Sequence, residues 1–347
     1  MTLDPAFAKA FWANARWFPQ QIDLVYGRLL LLELGEANYR QSMFLDQRLA
    51  AREPAQQVVP LWELAATTPV GTNPRALICH VGHCGSTLVS RILQEATPAL
   101  CLREPLPLQA LAQVERERGD ALAAVADARY EEFERFLFSA LGRSFGAEQP
   151  TIIKATSNCS NLLGRFLDPA PEHRALFVSL RLEPFLATML RSELRRQETA
   201  GFCQSRLLDL HRLLDDDSAR LHDLGPGELA AMSWAGNVLW LADAEKRHAD
   251  RIRAVDFETL LDAPGAELAT AARFLGLSAD EARLAEVFGT TTRAYSKDPN
   301  MPYSRASRDR ELEDCRQRCA EEIRQGLAWA ENLVSKVPAA APLAGLF

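Results

Sequence analysis

Residues 76 to 93 read ALICHVGHCGSTLVSRIL, and this stretch limits the fold more tightly than any other part of the chain. An apolar run from Ala76 to Cys79 passes through a turn flanked by Gly82 and Gly85, then continues as Leu88, Val89, Ile92 and Leu93 at helical spacing. The order is strand, loop, helix. Gly82 and Gly85 let backbone N–H groups approach an anion closely, and the unpaired N–H groups that open the helix add the positive end of its dipole. Phosphate belongs at such a place, beside the hydroxyls of Ser86 and Thr87. A nucleoside-triphosphate loop of the form GxxxxGK followed by Ser or Thr carries Lys directly before the hydroxyl residue. This chain has Ser86 before Thr87 instead, which weakens a kinase or ATPase reading. A tight turn that binds nothing is the other reading of these residues.

Charge narrows the partners. The 347 residues carry a net charge of −7, which argues against a nucleic-acid-binding surface, and any anionic ligand must be held by local positive groups. With 48% hydrophobic and 24% charged residues, the chain has ordinary globular composition, enough for one large α/β domain with an appendage. Its longest aliphatic run, Leu29 to Leu32, falls far short of the roughly 20 residues of a membrane span, and the N-terminus has no basic-plus-apolar signal. Seven cysteines at irregular positions fit a reducing cytoplasm better than a disulfide framework, and no spacing of His, Cys and carboxylates argues for a metal.

Residues 1 to 70 read as an N-terminal appendage of helix and strand, residues 71 to 336 as the main domain, and residues 337 to 347 as a tail. After the phosphate loop, ALCLREPLPL gives a second strand ending at Arg103, with Glu104 and Pro105 at its carboxyl edge. Ligands of open α/β sheets gather outside such edges. Gln109 to Gly142 reads as two helices. TIIKA, from Thr151 to Ala155, is a third strand, and the cluster SNCSN after it caps a helix beginning near Asn161. ALFVSL, from Ala175 to Leu180, is a fourth strand running into Arg181, and Pro184 then suits the first turn of a helix through Arg196. A helix from Glu228 to His248 leads into the strand RIRAVD, Arg251 to Asp256. From Arg308 to Val334, apolar positions advancing by three or four predict one long amphipathic helix, with Cys315 and Cys319 on its buried face. Strands alternating with helices predict a doubly wound, mostly parallel sheet with flanking helices.

Taken in this order, the motifs resemble the sulfotransferases that use 3′-phosphoadenosine-5′-phosphosulfate, in particular their bacterial and Golgi-type branches. HVGHCGSTL resembles the family's 5′-phosphosulfate loop, written as Lys or Arg followed by Ser-Gly-Thr-Thr. LFVSLRLEP resembles the strand whose terminal Arg binds the 3′-phosphate, and VDFETLL followed by LATAARFLGL resembles Tyr-Glu-Asp-Leu followed by Phe-Leu-Gly-Leu. Two positions depart from the pattern. His83 stands where the family has Lys or Arg, with Cys84 at the first loop Ser, and Arg181-Leu-Glu-Pro184 holds one residue more than usual.

The resemblance implies a P-loop sulfotransferase-like fold and transfer of a sulfuryl group from the nucleotide donor to a hydroxyl or amine of an unidentified acceptor. It implies that Gly82, Cys84, Gly85, Ser86 and Thr87 hold the 5′-phosphosulfate, with His83 as the conditional cation. Arg181 reads the 3′-phosphate, helped by Thr188 or Ser192. Glu104 takes the role of catalytic base, its alternative being an ion pair with Arg103. Lys154, at the same sheet edge, is either an ion-pair partner or a substrate contact, and Lys297 is either a loop residue over the nucleotide or a solvated side chain. The reading names a nucleotide donor and an acceptor as partners, admits a homo-oligomer, and involves neither nucleic acid nor membrane. Two alternatives stand beside it: a P-loop small-molecule kinase, and a non-catalytic nucleotide-binding protein of the same fold.

Overall fold

The structure, a computed structural model, describes residues 2–71, 74–121, 123–295, 298–302 and 304–347. Near the N-terminus, β1 Trp17–Asp23, β2 Arg28–Glu33 and β3 Gln56–Pro60 form an antiparallel sheet beside a helix, Pro5–Ala13. Leu29, Leu31 and Leu32 of the aliphatic run are buried there. Two buried arginines staple this segment to the rest of the chain. The Arg143 guanidinium donates to the carbonyls of Phe11, Asn14 and Trp17. The Arg103 guanidinium donates to the carbonyls of Tyr39, Arg40 and Ser42. Carbonyl partners make such burial tolerable, and desolvation still pushes Arg143 down to about 10.

The main sheet contains β4 Ala76–His80, β5 Leu100–Arg103, β6 Thr151–Lys154, β7 Arg174–Ser179 and β8 Ile252–Asp256. Their order is β5-β6-β4-β7-β8, and every neighbouring pair is parallel. The fold is α/β and doubly wound. All five residues of β4 are buried, as expected of a central strand covered by helices on both faces. The chain leaves β4 for β5 at one edge, returns through β6, and then crosses to β7 and β8. Strand order therefore reverses at β4, and the crevice at the carboxyl ends beside such a reversal is where open parallel sheets bind ligands. A short ribbon of β9 Ala294–Tyr295 and β10 Asp298–Pro302 lies apart from this sheet. Among the described residues, no helix is long and apolar enough to cross a membrane.

Three helix boundaries differ from the pattern reading. The run from Arg308 to Val334 is two helices, Arg305–Arg318 and Ala320–Lys336, because Cys319 leaves helical geometry at φ −111° and ψ 23°. Both pieces bury a stripe against one core, so the apolar period passes through the break unchanged. The expected Pro184-to-Arg196 helix is likewise two, Leu182–Leu190 and Glu193–Leu214, with Ser192 extended between them at φ −145°. The SNCSN cluster forms a 3₁₀ turn, Ser157–Leu162, ahead of a short helix, Leu163–Leu167.

Candidate functional site

The loop after β4 is held in shape by its own residues. Gly82, His83 and Gly85 have φ of 101°, 48° and 81°, all in the left-handed region. Gly85 is required twice over: a Cβ added there would lie 2.0 Å from a ring carbon of Phe257. His80 pins the loop to the sheet. Its Nε2–H donates to the Ala155 carbonyl at 3.0 Å, so its Nδ1 is unprotonated and accepts the Gly82 N–H at 3.0 Å. Cys84 turns inward, donating its thiol to the Val178 carbonyl, and burial pushes that thiol up to about 11. The expected contribution of Cys84 to an anion cradle is therefore limited to its backbone, since its side chain faces the sheet.

Gly85 caps the next helix, Ser86–Ala96, without a side-chain bond, and the first turn of that helix carries no acidic residue. The opening N–H groups lack intrahelical partners and their dipole end is uncompensated. Gly85, Ser86, Thr87 and Leu88 all line a cavity of about 750 Å³, within the roughly 300–1,000 Å³ typical of ligand sites.

Glu104 reaches the same cavity from the end of β5. It too is left-handed, at φ 53°, and its N–H donates to the Lys154 carbonyl at 2.6 Å. Its Oε1 accepts from Lys154 Nζ at 2.5 Å, with the Lys154 side chain 1% exposed and that of Glu104 20%. The alternative pairing with Arg103 is not formed. Successive strand residues point to opposite faces, and Arg103 is committed to the carbonyls of the N-terminal segment.

The broken helix supplies a third wall. Thr188, Arg191, Ser192, Arg195 and Glu198, on both sides of the break at Ser192, line the cavity. Arg191 pairs with Glu311 at 2.5 Å, Arg195 donates to the Thr188 carbonyl at 2.7 Å, and Glu198 Oε2 lies 2.7 Å from His83 Nε2. Arg181 is not brought here. It stands at the cap of the Leu182–Leu190 helix, about two turns before Thr188, and its guanidinium donates to the carbonyls of Gly345 and Phe347. The structure does not bring Arg181 together with Thr188 and Ser192: those two residues line the cavity, and the arginines beside them are Arg191 and Arg195. Positions 188, 191, 192 and 195 have the three- and four-residue spacing of a helical face in the sequence, although the helix is interrupted at Ser192. Lys297 lies outside the described residues.

The N-terminal segment closes one side. Phe44 and Arg48 line the cavity, with the Arg48 guanidinium 4.3 Å from the Phe44 ring centroid and forked onto Asp46, which holds it above the usual arginine range. Among the described lining residues, six cations (Arg48, Lys154, Arg191, Arg195, Arg308 and Arg318) face four carboxylates (Glu104, Glu198, Glu311 and Asp314), with His83 additional. Cations thus outnumber carboxylates in this lining, although Arg48, Lys154, Arg191, Arg308 and Arg318 are each paired with a carboxylate in or beside it.

Neither a protein-family model nor a curated protein matches this chain. Among solved structures it is similar to a sulfotransferase domain from the curacin biosynthetic pathway, at 14% identity, 72% of this chain, 98% of that chain and a TM-score of 0.43. It is also similar to a sulfotransferase from Alicyclobacillus acidocaldarius, at 13% identity over 77% of this chain and 98% of the other, TM-score 0.35. A third is retinol dehydratase in a complex with retinol and PAP, at 13% identity, 97% and 96% coverage and TM-score 0.35. The geometry of the cavity, not these overlaps, carries the functional reading.

Proposed function

We propose that this cavity binds 3′-phosphoadenosine-5′-phosphosulfate and that the protein transfers its sulfuryl group to a hydroxyl or amine. One observation carries the reading: a helix start whose opening N–H groups lack intrahelical partners and a carboxylate anchored by a buried lysine open into the same cavity. The donor set fits a nucleotide with two separate anionic groups. Gly85 leaves the close approach that a Cβ would close, and hydroxyls and arginines stand on a second wall.

When bound, the donor supplies a sulfuryl group already activated on a phosphate. In this reading the N–H groups that open the Ser86–Ala96 helix, the Ser86 and Thr87 hydroxyls and His83 hold the 5′ end and stabilise the charge left on the departing phosphate. Thr188, Ser192 and Arg191 hold the second phosphate, in place of Arg181. Glu104 accepts the acceptor's proton as the new oxygen–sulfur or nitrogen–sulfur bond forms and the sulfur–oxygen bond to phosphate breaks. Lys154 holds the carboxylate in place through its Nζ donor. Phe44 and Arg48 border the acceptor's side.

Calorimetry with adenosine 3′,5′-bisphosphate against ATP tests the reading. Preference for the bisphosphate supports it, and preference for ATP turns it into the kinase. A chain that binds the bisphosphate yet transfers no sulfuryl group to any of a panel of phenols, sugars and amines is the non-catalytic binder.

A further inference from the structure

The loop between β4 and Ser86 contains no lysine or arginine, yet it is where the reading above puts the strongest negative charge. The one ionisable nitrogen base there is His83, and the structure gives it an unusual setting. Its imidazole is 9% exposed, and its backbone is held at φ 48°, a conformation sparsely populated by residues with a Cβ. Glu198, 115 residues away in sequence and 42% exposed, meets it at 2.7 Å between Oε2 and Nε2. A carboxylate at neutral pH has no proton to donate, so Nε2–H is the donor and Glu198 fixes a proton on that nitrogen.

We propose that Glu198 is a positioning residue that holds His83 in the imidazolium form, so that the phosphate loop carries a fixed positive charge without lysine or arginine. The inference rests on the reading of this cavity as an anion site. An opposite charge in hydrogen-bond contact favours the protonated imidazole, whereas enclosure opposes it.

The remaining charges around the imidazole are largely matched among themselves. On the strand ends Lys154 is paired with Glu104. On the broken helix Arg191 is paired with Glu311. On the Arg305–Arg318 helix Arg308 is paired with Glu258, and Arg318 with Asp314. Arg48 from the N-terminal segment is forked onto Asp46. His80, on the strand itself, has an unprotonated Nδ1. Arg195, one turn from Glu198, lines the same cavity and donates to the Thr188 carbonyl. Glu198 is a carboxylate in direct contact with the imidazole, and its charge can be removed while its shape is kept.

Glu198→Gln does this, because the amide oxygen still accepts a hydrogen bond. The imidazole C–H resonances of His83, identified by their loss in His83→Asn, are followed by NMR from about pH 5 to 9 without nucleotide. The midpoint is expected to fall by about one pH unit or more in Glu198→Gln. In parallel, calorimetry with adenosine 3′,5′-bisphosphate should show affinity lost at correspondingly lower pH in Glu198→Gln and restored at neutral pH when His83→Lys is added. An unmoved NMR midpoint overturns the proposal, as does tighter nucleotide binding by Glu198→Gln at every pH, which would make Glu198 a competitor for the anion. A shifted midpoint in a chain that binds no bisphosphate at any pH supports the control of His83 by Glu198 and overturns the functional reading instead.

Discussion

Replacing Glu104 with Gln removes one charge and one basic oxygen from the cavity while preserving the shape of the side chain. Two effects follow, and their sizes separate them. Breaking a buried ion pair by deleting one partner costs about 3–5 kcal/mol. Here the cost is smaller, because Glu104 is 20% exposed and an amide oxygen still accepts the 2.5 Å bond from Lys154. What remains is the loss of charge assistance on a nearly enclosed ammonium, about 1–3 kcal/mol. Domains are stable by about 5–15 kcal/mol, so the variant folds. The chemical effect is larger in its consequence. A general base contributes a factor of about 10² to 10⁴, and 10² corresponds to about 2.7 kcal/mol on the barrier. The assay follows radiolabelled sulfuryl transfer from the donor to phenols, sugars and amines, with bisphosphate affinity measured by calorimetry and folding by urea titration. Glu104→Gln should lose at least about 10² in turnover while donor affinity stays within about threefold. A folded variant with near-normal turnover would remove Glu104 from the chemistry and leave it as the structural partner of Lys154.

Gly85→Ala should destabilise the chain by about 2–5 kcal/mol, combining the left-handed φ of 81° with a Cβ driven into the Phe257 ring; a loss under about 1 kcal/mol in urea titration would contradict the close approach of ring and loop. Arg191→Ala should weaken bisphosphate binding by about 10- to 100-fold more than it weakens binding of the 5′-monophosphate, since only the former has a second phosphate to lose; equal losses in calorimetry would remove Arg191 from that role. The hydrogen bond from Arg196 holds Glu322 below the usual carboxylate range, so this pair stabilises the fold above the glutamate's unfolded value and the contribution disappears as pH falls through the folded one. Glu322→Gln should accordingly flatten the decline of stability with acidification below about pH 4.5, and a decline identical to the wild type would show the pair to be inert.

Residues close together in the chain settled the backbone of the loop and the class of the sheet. The run from Ala76 to Leu93 specifies strand, loop and helix because apolar spacing and glycine conformation are local properties, and the structure places β4, the left-handed Gly82 and Gly85, and the helix from Ser86 where the pattern put them. The alternation of apolar runs with helical segments likewise specified a parallel, doubly wound sheet, since parallel strands need crossovers of helical length. The positive lining was anticipated only as a necessity, from the net charge of −7.

Tertiary structure decided which side chains meet. The helix break at Cys319 leaves no mark in the apolar period, because both pieces bury a stripe, and the placement of Arg191, Arg195 and Glu198 on one cavity wall appears only in the packed chain. The family resemblance implies a 3′-phosphate contact for Arg181, but the direction of a long side chain depends on the acceptors within reach, and those are carbonyls of Gly345 and Phe347, more than 160 residues away. Glu104 found Lys154 instead of Arg103 because strand register, not adjacency in sequence, sets neighbours across a sheet. The contact between His83 and Glu198 joins a loop to a helix 115 residues later, and no local pattern encodes it. Backbone conformation follows from residues a few positions apart; the chemistry of the cavity follows from side chains that only the packed fold brings within a few ångströms.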